Sequence, residues 1–331
     1  MDEIQSAPGR IQFLNKIRPV YMIIILLSLI SQRIVYNEVF YPVIDRNIEM
    51  HHLILQGNYE PPYQYRVLKP VFTEIFSKML SPVIQNEVER FKLIHKIMLF
   101  IGFYFLYLIF YYFLKNFYSD VTAMTGMLLL QISIPLTMTN SNCFEEGDCI
   151  TAFFYLMAFY AMFKKKEYLI PLIVGIGTLN REQTVFIMVF YAAYLWDRKK
   201  LFAKKSIIIM AGGVLAFAAV FAGLRLYFGF MPTRFTSDLH TQINQAGLSS
   251  IIRLWTEQIL IFIIGSIIVF KKSRLFFKAA LLCIIPYTVF FFFFGVMGEL
   301  GKFLPAMIIM ITMSLQFLKK EYTGTNELKH A

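Results

Sequence analysis

The sequence contains little charge and little cysteine. Only 16% of its 331 residues are charged, whereas a typical soluble domain has about 25%. Three cysteines are too few for a disulfide scaffold or a paired-cysteine zinc framework. A glycine-rich phosphate loop, an HExxH motif and a GxSxG motif are also missing. These absences argue against several large classes of soluble enzyme and leave a membrane protein as the class to consider.

Apolar residues dominate the chain instead. Hydrophobic residues make up 57% of it and aromatic residues 17%, and the mean hydropathy is +0.58. Because about 20 mostly apolar residues cross the hydrocarbon core, we identify as possible crossings the residues 19–36, 93–114, 121–139, 149–163, 168–179, 183–196, 206–228, 255–270, 275–294 and 303–318. We therefore predict an all-α protein, a polytopic membrane helix bundle with about ten transmembrane helices in a single integral membrane domain, residues 1–331.

The net charge of +11 is distributed unevenly between the two ends of these helices. Both termini and alternate connections hold 19 of the 32 basic and 7 of the 21 acidic residues, a net charge of +12. The other connections hold 13 basic and 14 acidic residues, a net charge of −1. By the positive-inside rule the first set is cytoplasmic. We therefore predict a plasma (inner) membrane protein with both termini inside, an extracytoplasmic active face and no nucleic-acid partner.

Two outer connections are long enough for chemistry, namely residues 37–92, which we call loop one, and residues 229–254. Pro61, Pro62 and Pro70 divide loop one, so we expect it to form two or three short amphipathic helices at the membrane surface. In the first of these, Asp45, Glu49 and His52 follow the spacing i, i+4, i+7 and share one helix face. That face could hold a general base with supporting groups, or it could be a polar side that faces water.

Basic residues near the same boundary are candidates for binding a phosphate group. Arg66 and Lys69 lie beside aromatic residues of loop one, and Arg225 lies late in the seventh helix. Arginine binds phosphate oxygens through several planar hydrogen bonds, and lysine adds a point charge. The alternative is that these side chains snorkel to lipid headgroups and anchor the helices.

Acidic residues occur in two other outer connections. Glu146 and Asp148 lie in the second one, and Glu299 lies in the last one. They could bind the hydroxyl groups of an acceptor or a divalent cation, or they could form a solvated tip and an interface anchor. Adjacent histidines at positions 51 and 52 point apart on a helix, so we predict no metal site there.

The length of one pair of helices is the most informative observation. Only 31 residues separate Lys166 from Arg198, and Arg181 and Glu182 lie near the middle. Two helices of about 15 residues rise about 22 Å each, which is less than the hydrocarbon thickness of about 30 Å. The turn between them should therefore lie at membrane depth and line a hydrated cavity. The alternative is a turn in which Arg181 pairs with Glu182 between packed helices.

Several segments resemble GT-C-fold glycosyltransferases of bacterial type, which are polytopic enzymes that use polyprenyl-phosphate-linked sugars. The resemblance starts with Asp45 after a first helix, and continues with Gln56-Gly-Asn-Tyr and a proline-rich turn. Three further segments that share it read PPYQYRVLKP, TLNREQTV and GELGKFLP. It implies transfer of a sugar from a polyprenyl-phosphate donor to an envelope, lipid or glycan acceptor, with inversion at the anomeric carbon.

The resemblance also implies roles for individual residues. Asp45 would be the catalytic general base, with Glu49 and His52 in support. The residues that would hold the donor phosphate are Arg66, Lys69, Arg181 and Arg225. The residues of a second acidic site, for the acceptor, are Glu146, Asp148, Glu182 and Glu299. No cofactor is required by this chemistry, although a divalent cation is possible.

Two other classes remain open at this point. A transporter or flippase can also carry charge at membrane depth, and the short fifth helix with Pro171, Gly175 and Gly177 is compatible with one. An envelope-polysaccharide polymerase or ligase would handle lipid-linked sugars as well. Covalent transfer of a single sugar separates the glycosyltransferase from both.

Overall fold

The computed structural model describes residues 19–139, 147–231, 248–294 and 297–317, and within these ranges it is helical without a strand. This confirms the predicted all-α class. The helices, numbered in chain order, are α1 Pro19–Val35, α2 Ile44–Gln56, α3 Leu68–Leu80, α4 Glu87–Leu114, α5 Asp120–Thr139, α6 Gly147–Phe163, α7 Ile170–Asn180, α8 Ile187–Asp197, α9 Lys204–Phe228, α10 Leu248–Gln258, α11 Leu260–Val269, α12 Leu275–Phe294 and α13 Leu304–Ser314.

Several helices are long and apolar enough to cross a membrane. Within the described residues, four pass this test by length and composition, and a fifth does if α10 and α11, which are bent by 57° at their junction, count as one span. These helices indicate a membrane-embedded protein. The remaining predicted crossings coincide with helices that do not pass it, and α7 and α8 have only 11 residues each. The number of ten crossings and the inside–outside orientation remain predictions.

Loop one is built from short helices, as the prolines predicted. The first membrane helix does not stop at Val35 but continues through a π turn, Tyr36–Phe40, and a 3-10 turn, Tyr41–Val43, into α2. Gly57 then ends α2 with φ of +79°, a left-handed conformation that glycine adopts without strain. A 3-10 turn at Tyr63–Tyr65 leads to α3. The two helices of loop one, α2 and α3, therefore lie beside the N-terminal part of α4.

The helices pack around α13, which is the most enclosed element. Every residue from Leu304 to Met313 is buried, and α11, α12 and α6 contact this helix. Helix α9 lies at the periphery, packs mainly on α7, and exposes apolar side chains such as Leu215 and Leu226. An exposed apolar face on a long helix is the pattern expected for contact with lipid. The short helices α7 and α8 therefore lie between an enclosed core and a peripheral span.

Candidate functional site

A cavity lies between loop one and the facing ends of α6 and α7, and we call it the loop-one cavity. Residues of α2, α3 and α4 form most of its wall, and Gly147 and Asn180 close the side toward the buried helices. Its polar and ionisable lining residues are Asn47, His51, Arg66, Lys69, Thr73, His95 and Asn180. Among the described residues that line it, none is an aspartate or glutamate. The chemistry of the wall therefore favours an anion.

Helix periodicity decides which side chains of α2 reach this cavity. Asn47, His51 and Ile54 are spaced i, i+4, i+7 and line it. Asp45 and Glu49 are exposed and His52 is partly exposed, and the 100° advance per residue places these three on the opposite face. The spacing correctly predicted that they share a face. The structure turns that face away from the cavity, so Asp45, Glu49 and His52 are not brought into its lining.

Arg66 and Lys69 are the predicted phosphate-binding residues that the structure does bring together. Arg66 follows the 3-10 turn, and its guanidinium lies 4.6 Å from the centre of the Tyr63 ring. The Lys69 ammonium lies 5.7 Å from the centre of the Phe40 ring. Stacking on an aromatic face helps to hold each cation in place. Both cations line one cavity, as a site for a phosphate requires.

His51 also lines the cavity, although the sequence pattern predicted no role for it. It is only 6% exposed, and its Nε2 lies 3.3 Å from Glu74 Oε2. Glu74 also pairs with Lys78 at 3.3 Å. Burial raises the pKa of the Glu74 carboxyl, but its hydrogen bonds with His51 and Lys78 lower it by more, so this carboxylate is ionised at neutral pH. The spacing of Asn47, His51 and Ile54 was the signal that could have found His51.

His95 forms the floor of the cavity as a stacked ring. Its imidazole stacks on the Phe40 ring, at 4.2 Å between ring centres, and makes a tilted contact with the Phe91 ring, at 4.1 Å. Its Nδ1 is 2.9 Å from the Phe91 carbonyl oxygen, one turn earlier in α4. A ring held by two aromatic neighbours and by the backbone has a fixed orientation. The cavity is therefore walled by side chains whose positions are set before any ligand binds.

The turn that the helix lengths place at membrane depth is buried within the protein at Asn180 and Arg181, and its depth in a membrane stays a prediction. Arg181 is 3% exposed, and its Nη1 lies 2.9 Å from Asp148 Oδ1 at the start of α6. The Asn180 amide donates to the Gly147 carbonyl oxygen and to Thr151 Oγ1, both at 2.9 Å. The alternative in which Arg181 pairs with Glu182 is not what the structure shows. Asn180 reaches the loop-one cavity, whereas Arg181 and Asp148 pack behind it.

Glu182 pairs instead with Arg225, and this contact connects α9 to loop one. Arg225 Nη2 lies 3.3 Å from Glu182 Oε1. The guanidinium carbon is 4.2 Å from the centre of the Tyr65 ring and 3.4 Å from that of Phe221. The Tyr65 hydroxyl donates to the carbonyl oxygen of Gly229, at 2.8 Å. Neither Arg225 nor Glu182 lines the cavity, so the contact fastens loop one to the end of α9.

We expect Arg225→Ala to lower the free energy of unfolding by about 1 to 2 kcal/mol, because it removes a half-buried ion pair and two cation–π contacts. Arg274→Ala is the matched control, since that guanidinium is exposed and lies 5.4 Å from a single ring, Phe117. Its expected cost is within about 0.5 kcal/mol. Denaturation in mild detergent, followed by tryptophan fluorescence, measures both. Equal costs for the two variants would contradict the proposed fastening role.

Glu299 and Glu146 are the other acidic residues that the sequence assigned to a second acidic site. Glu299 pairs with Lys302 in the turn before α13. Gly301 of the same turn lies against Asp148, so closely that a Cβ atom on it would lie 2.9 Å from Asp148 Oδ2. Glu146 lies outside the described residues. The turn before α13 thus packs directly on the Asp148–Arg181 pair and does not bring Glu299 into the cavity lining.

In the part of the chain that the structure describes, no group of three or more His, Cys, Asp or Glu side chains is arranged to hold a metal ion. In the loop-one cavity the Arg66 guanidinium, the Lys69 ammonium and the Asn47 amide can donate hydrogen bonds to a phosphate, and the His51 imidazole has the Glu74 carboxylate behind it. These donors are rigid, and the hydrocarbon-length helices α1 and α4 adjoin them. A lipid that carries a phosphate group matches both features.

Fold and site together define a helical, membrane-embedded protein with a cationic cavity beside its first loop. Comparison of the chain with protein-family models, with curated proteins and with solved structures gives no match.

Proposed function

We propose that the protein is an integral membrane glycosyltransferase that moves a sugar from a polyprenyl-phosphate donor to an envelope, lipid or glycan acceptor on the extracytoplasmic face, with inversion. The loop-one cavity is the observation that carries this proposal. Its described lining contains Arg66 and Lys69 but no carboxylate. A buried anion needs such cationic partners to offset the loss of its hydration.

The chemistry of the reaction fits this wall. The donor's phosphate leaves the anomeric carbon with the electron pair of the C–O bond, and negative charge grows on the phosphate oxygens. Arg66 can donate two parallel hydrogen bonds to such oxygens, and Lys69 adds a second positive charge. Preorganised donors of this kind stabilise the departing phosphate without reorganising during the step. The apolar surface of the neighbouring helices would accommodate the polyprenyl chain.

The other predicted arginines fit a supporting role in this proposal. Arg181 and Arg225 are engaged by Asp148 and Glu182, and both lie outside the cavity lining. We propose that they hold the wall in position while Arg66 and Lys69 contact the phosphate. The resemblance assigns the general base to Asp45, and that assignment stays a prediction, because its carboxylate lies on the face of α2 opposite the cavity.

The experiment is an assay of covalent transfer. The purified chain is reconstituted in liposomes with polyprenyl-phosphate-linked hexoses labelled in the sugar, and with extracts that supply lipid and glycan acceptors. We expect the label to appear on an acceptor with release of polyprenyl phosphate, as identified by mass spectrometry, and to remain on the donor in protein-free liposomes. Label that stays on the donor under every condition would refute the proposal.

A transporter or flippase is the second candidate, and one observation favours it. The pair α10–α11 is bent by 57° at a break of the helix, and broken helices often form the substrate site of transporters. A polyprenyl-phosphate sugar that crosses the liposome bilayer unchanged would select this function. An oligosaccharide donor in the transfer assay would select the polymerase or ligase.

A further inference from the structure

Beside the two cations, the loop-one cavity holds an imidazole that is arranged to accept a proton. His51 lines the cavity, is 6% exposed, and lies on the same face of α2 as Asn47. Its Nε2 faces Glu74 Oε2 at 3.3 Å. Glu74 belongs to α3, so two separate helices fix this pair.

The carboxylate decides which ring nitrogen is basic. A carboxylate only accepts hydrogen bonds, so the nitrogen next to Glu74 carries the hydrogen and donates it. The lone pair then belongs to Nδ1. A base oriented by a second group in this way is a recurrent arrangement at catalytic sites, because the carboxylate also stabilises the imidazolium that forms.

We propose that His51 is the general base of the transfer reaction and that Glu74 is its positioning residue. The proposal rests on the function proposed above. The acceptor hydroxyl gives its proton to His51 Nδ1, and the oxygen's electron pair forms the new bond to the anomeric carbon. The bond from that carbon to the phosphate oxygen breaks, and its electron pair leaves with the polyprenyl phosphate. The imidazolium afterwards gives its proton to water.

The position of His51 relative to Arg66 and Lys69 supports its role as the general base. Lys69 of α3, Arg66 after the 3-10 turn, and His95 of α4 line the same cavity as His51. Together with Glu74 and the neighbouring His52, they are the titratable and charged groups around the imidazole. A phosphate bound by Arg66 and Lys69 would place the anomeric carbon within the cavity that His51 faces.

The same helix offers a matched control for Glu74. His52 and Glu87 form a second histidine–carboxylate pair, at 2.7 Å, one residue further along α2. Its two side chains are 44% and 51% exposed, and neither lines the cavity. Glu74→Gln and Glu87→Gln therefore make the same chemical change to two adjacent pairs, only one of which faces the cavity.

The test measures single-turnover sugar transfer from a polyprenyl-phosphate hexose in liposomes, between pH 5 and pH 8.5. We expect His51→Gln to lower the rate about 100-fold or more and to remove the fall of the rate at acid pH. Glu74→Gln should lower the transfer rate about 10-fold. It should also shift the decrease of the rate at acid pH to lower pH, because the ionised carboxylate stabilises the imidazolium. Glu87→Gln should stay within about twofold of wild type. Binding of farnesyl phosphate should be unchanged in all three variants, which shows that the cavity is intact.

A wild-type rate and pH profile in His51→Gln would overturn the proposal. So would an Asp45→Asn variant that removes the fall at acid pH while His51→Gln retains it, because the base would then be Asp45. Absence of transfer by the wild-type chain, with farnesyl phosphate still bound, would overturn the proposed glycosyltransferase function and the role of His51 with it. Should His51→Gln fail to fold, Glu74→Gln decides by its shift in pH profile against Glu87→Gln.

Discussion

Replacement of Asp148 by asparagine is expected to lower the free energy of unfolding by about 3 to 5 kcal/mol. The substitution keeps the size of the side chain but removes the negative charge that lies 2.9 Å from the Arg181 guanidinium. Both side chains are about 5% exposed or less, so water cannot replace the lost carboxylate. Removal of one partner of a buried ion pair is among the most costly changes that a single substitution can produce.

Unfolding in mild detergent measures this loss, and the yield of monodisperse protein gives a second reading. Arg253→Ala is the control: its pair with Glu257 has a separation of 3.8 Å, and the two side chains are 70% and 57% exposed. It should cost about 0.5 kcal/mol or less. A cost for Asp148→Asn no greater than that of the control would contradict the burial of the pair.

A double substitution separates the charge from the packing. Asp148→Leu together with Arg181→Leu should be less destabilising than Asp148→Asn alone, because it leaves no unpaired charge in the interior. The double variant should at the same time lose transfer activity, since the Asn180 side chain that lines the cavity depends on the position of this turn. A double variant that is less stable than the single one would show that the packing of the two side chains, and not their opposite charges, stabilises the protein.

The sequence predicts a turn at membrane depth, because that prediction uses only the lengths of two helices and not the identity of the residues that they pack against. Two helices too short to span the hydrocarbon core must end inside it, whatever they pack against. The identity of the partner could not be predicted, since Asp148 is 33 positions before Arg181. Only the packing of α7 on α6 brings the two together. For the same reason the pairing of Glu182 with Arg225 could not be predicted.

The orientation of α2 shows a second limit of sequence reasoning. The spacing of Asp45, Glu49 and His52 is equally consistent with a face that points into a site and one that points out. The opposite face carries Met50 and Ile54, and apolar residues on an amphipathic helix mark the inward side. The apolar residues therefore indicate that the face of α2 carrying His51, and not the face carrying Asp45 and Glu49, points inward. Polar residues alone cannot reveal which way a helix faces.

Loss of Arg66 should weaken phosphate binding more than any other single change in the cavity wall. We expect Arg66→Ala to raise the dissociation constant for farnesyl phosphate about 10- to 100-fold, because a charge-assisted hydrogen bond is worth about 1.5 to 3 kcal/mol. Arg66→Lys should recover only part of this, since an ammonium cannot form two parallel hydrogen bonds to one phosphate. Isothermal titration of the protein in detergent measures the three constants.

Farnesol separates the phosphate from the lipid in this experiment. It carries the same isoprenoid chain without the charge, so its binding should be equal in wild type and Arg66→Ala. Arg46→Ala provides the protein control, because Arg46 is an exposed cation on α2 outside the cavity lining. A general electrostatic attraction would weaken in both arginine variants and vanish at high salt, since exposed charges are screened over about 10 Å at 0.1 M. A cation that contacts the phosphate inside the cavity should instead keep most of its effect at high salt, and only Arg66 should show it.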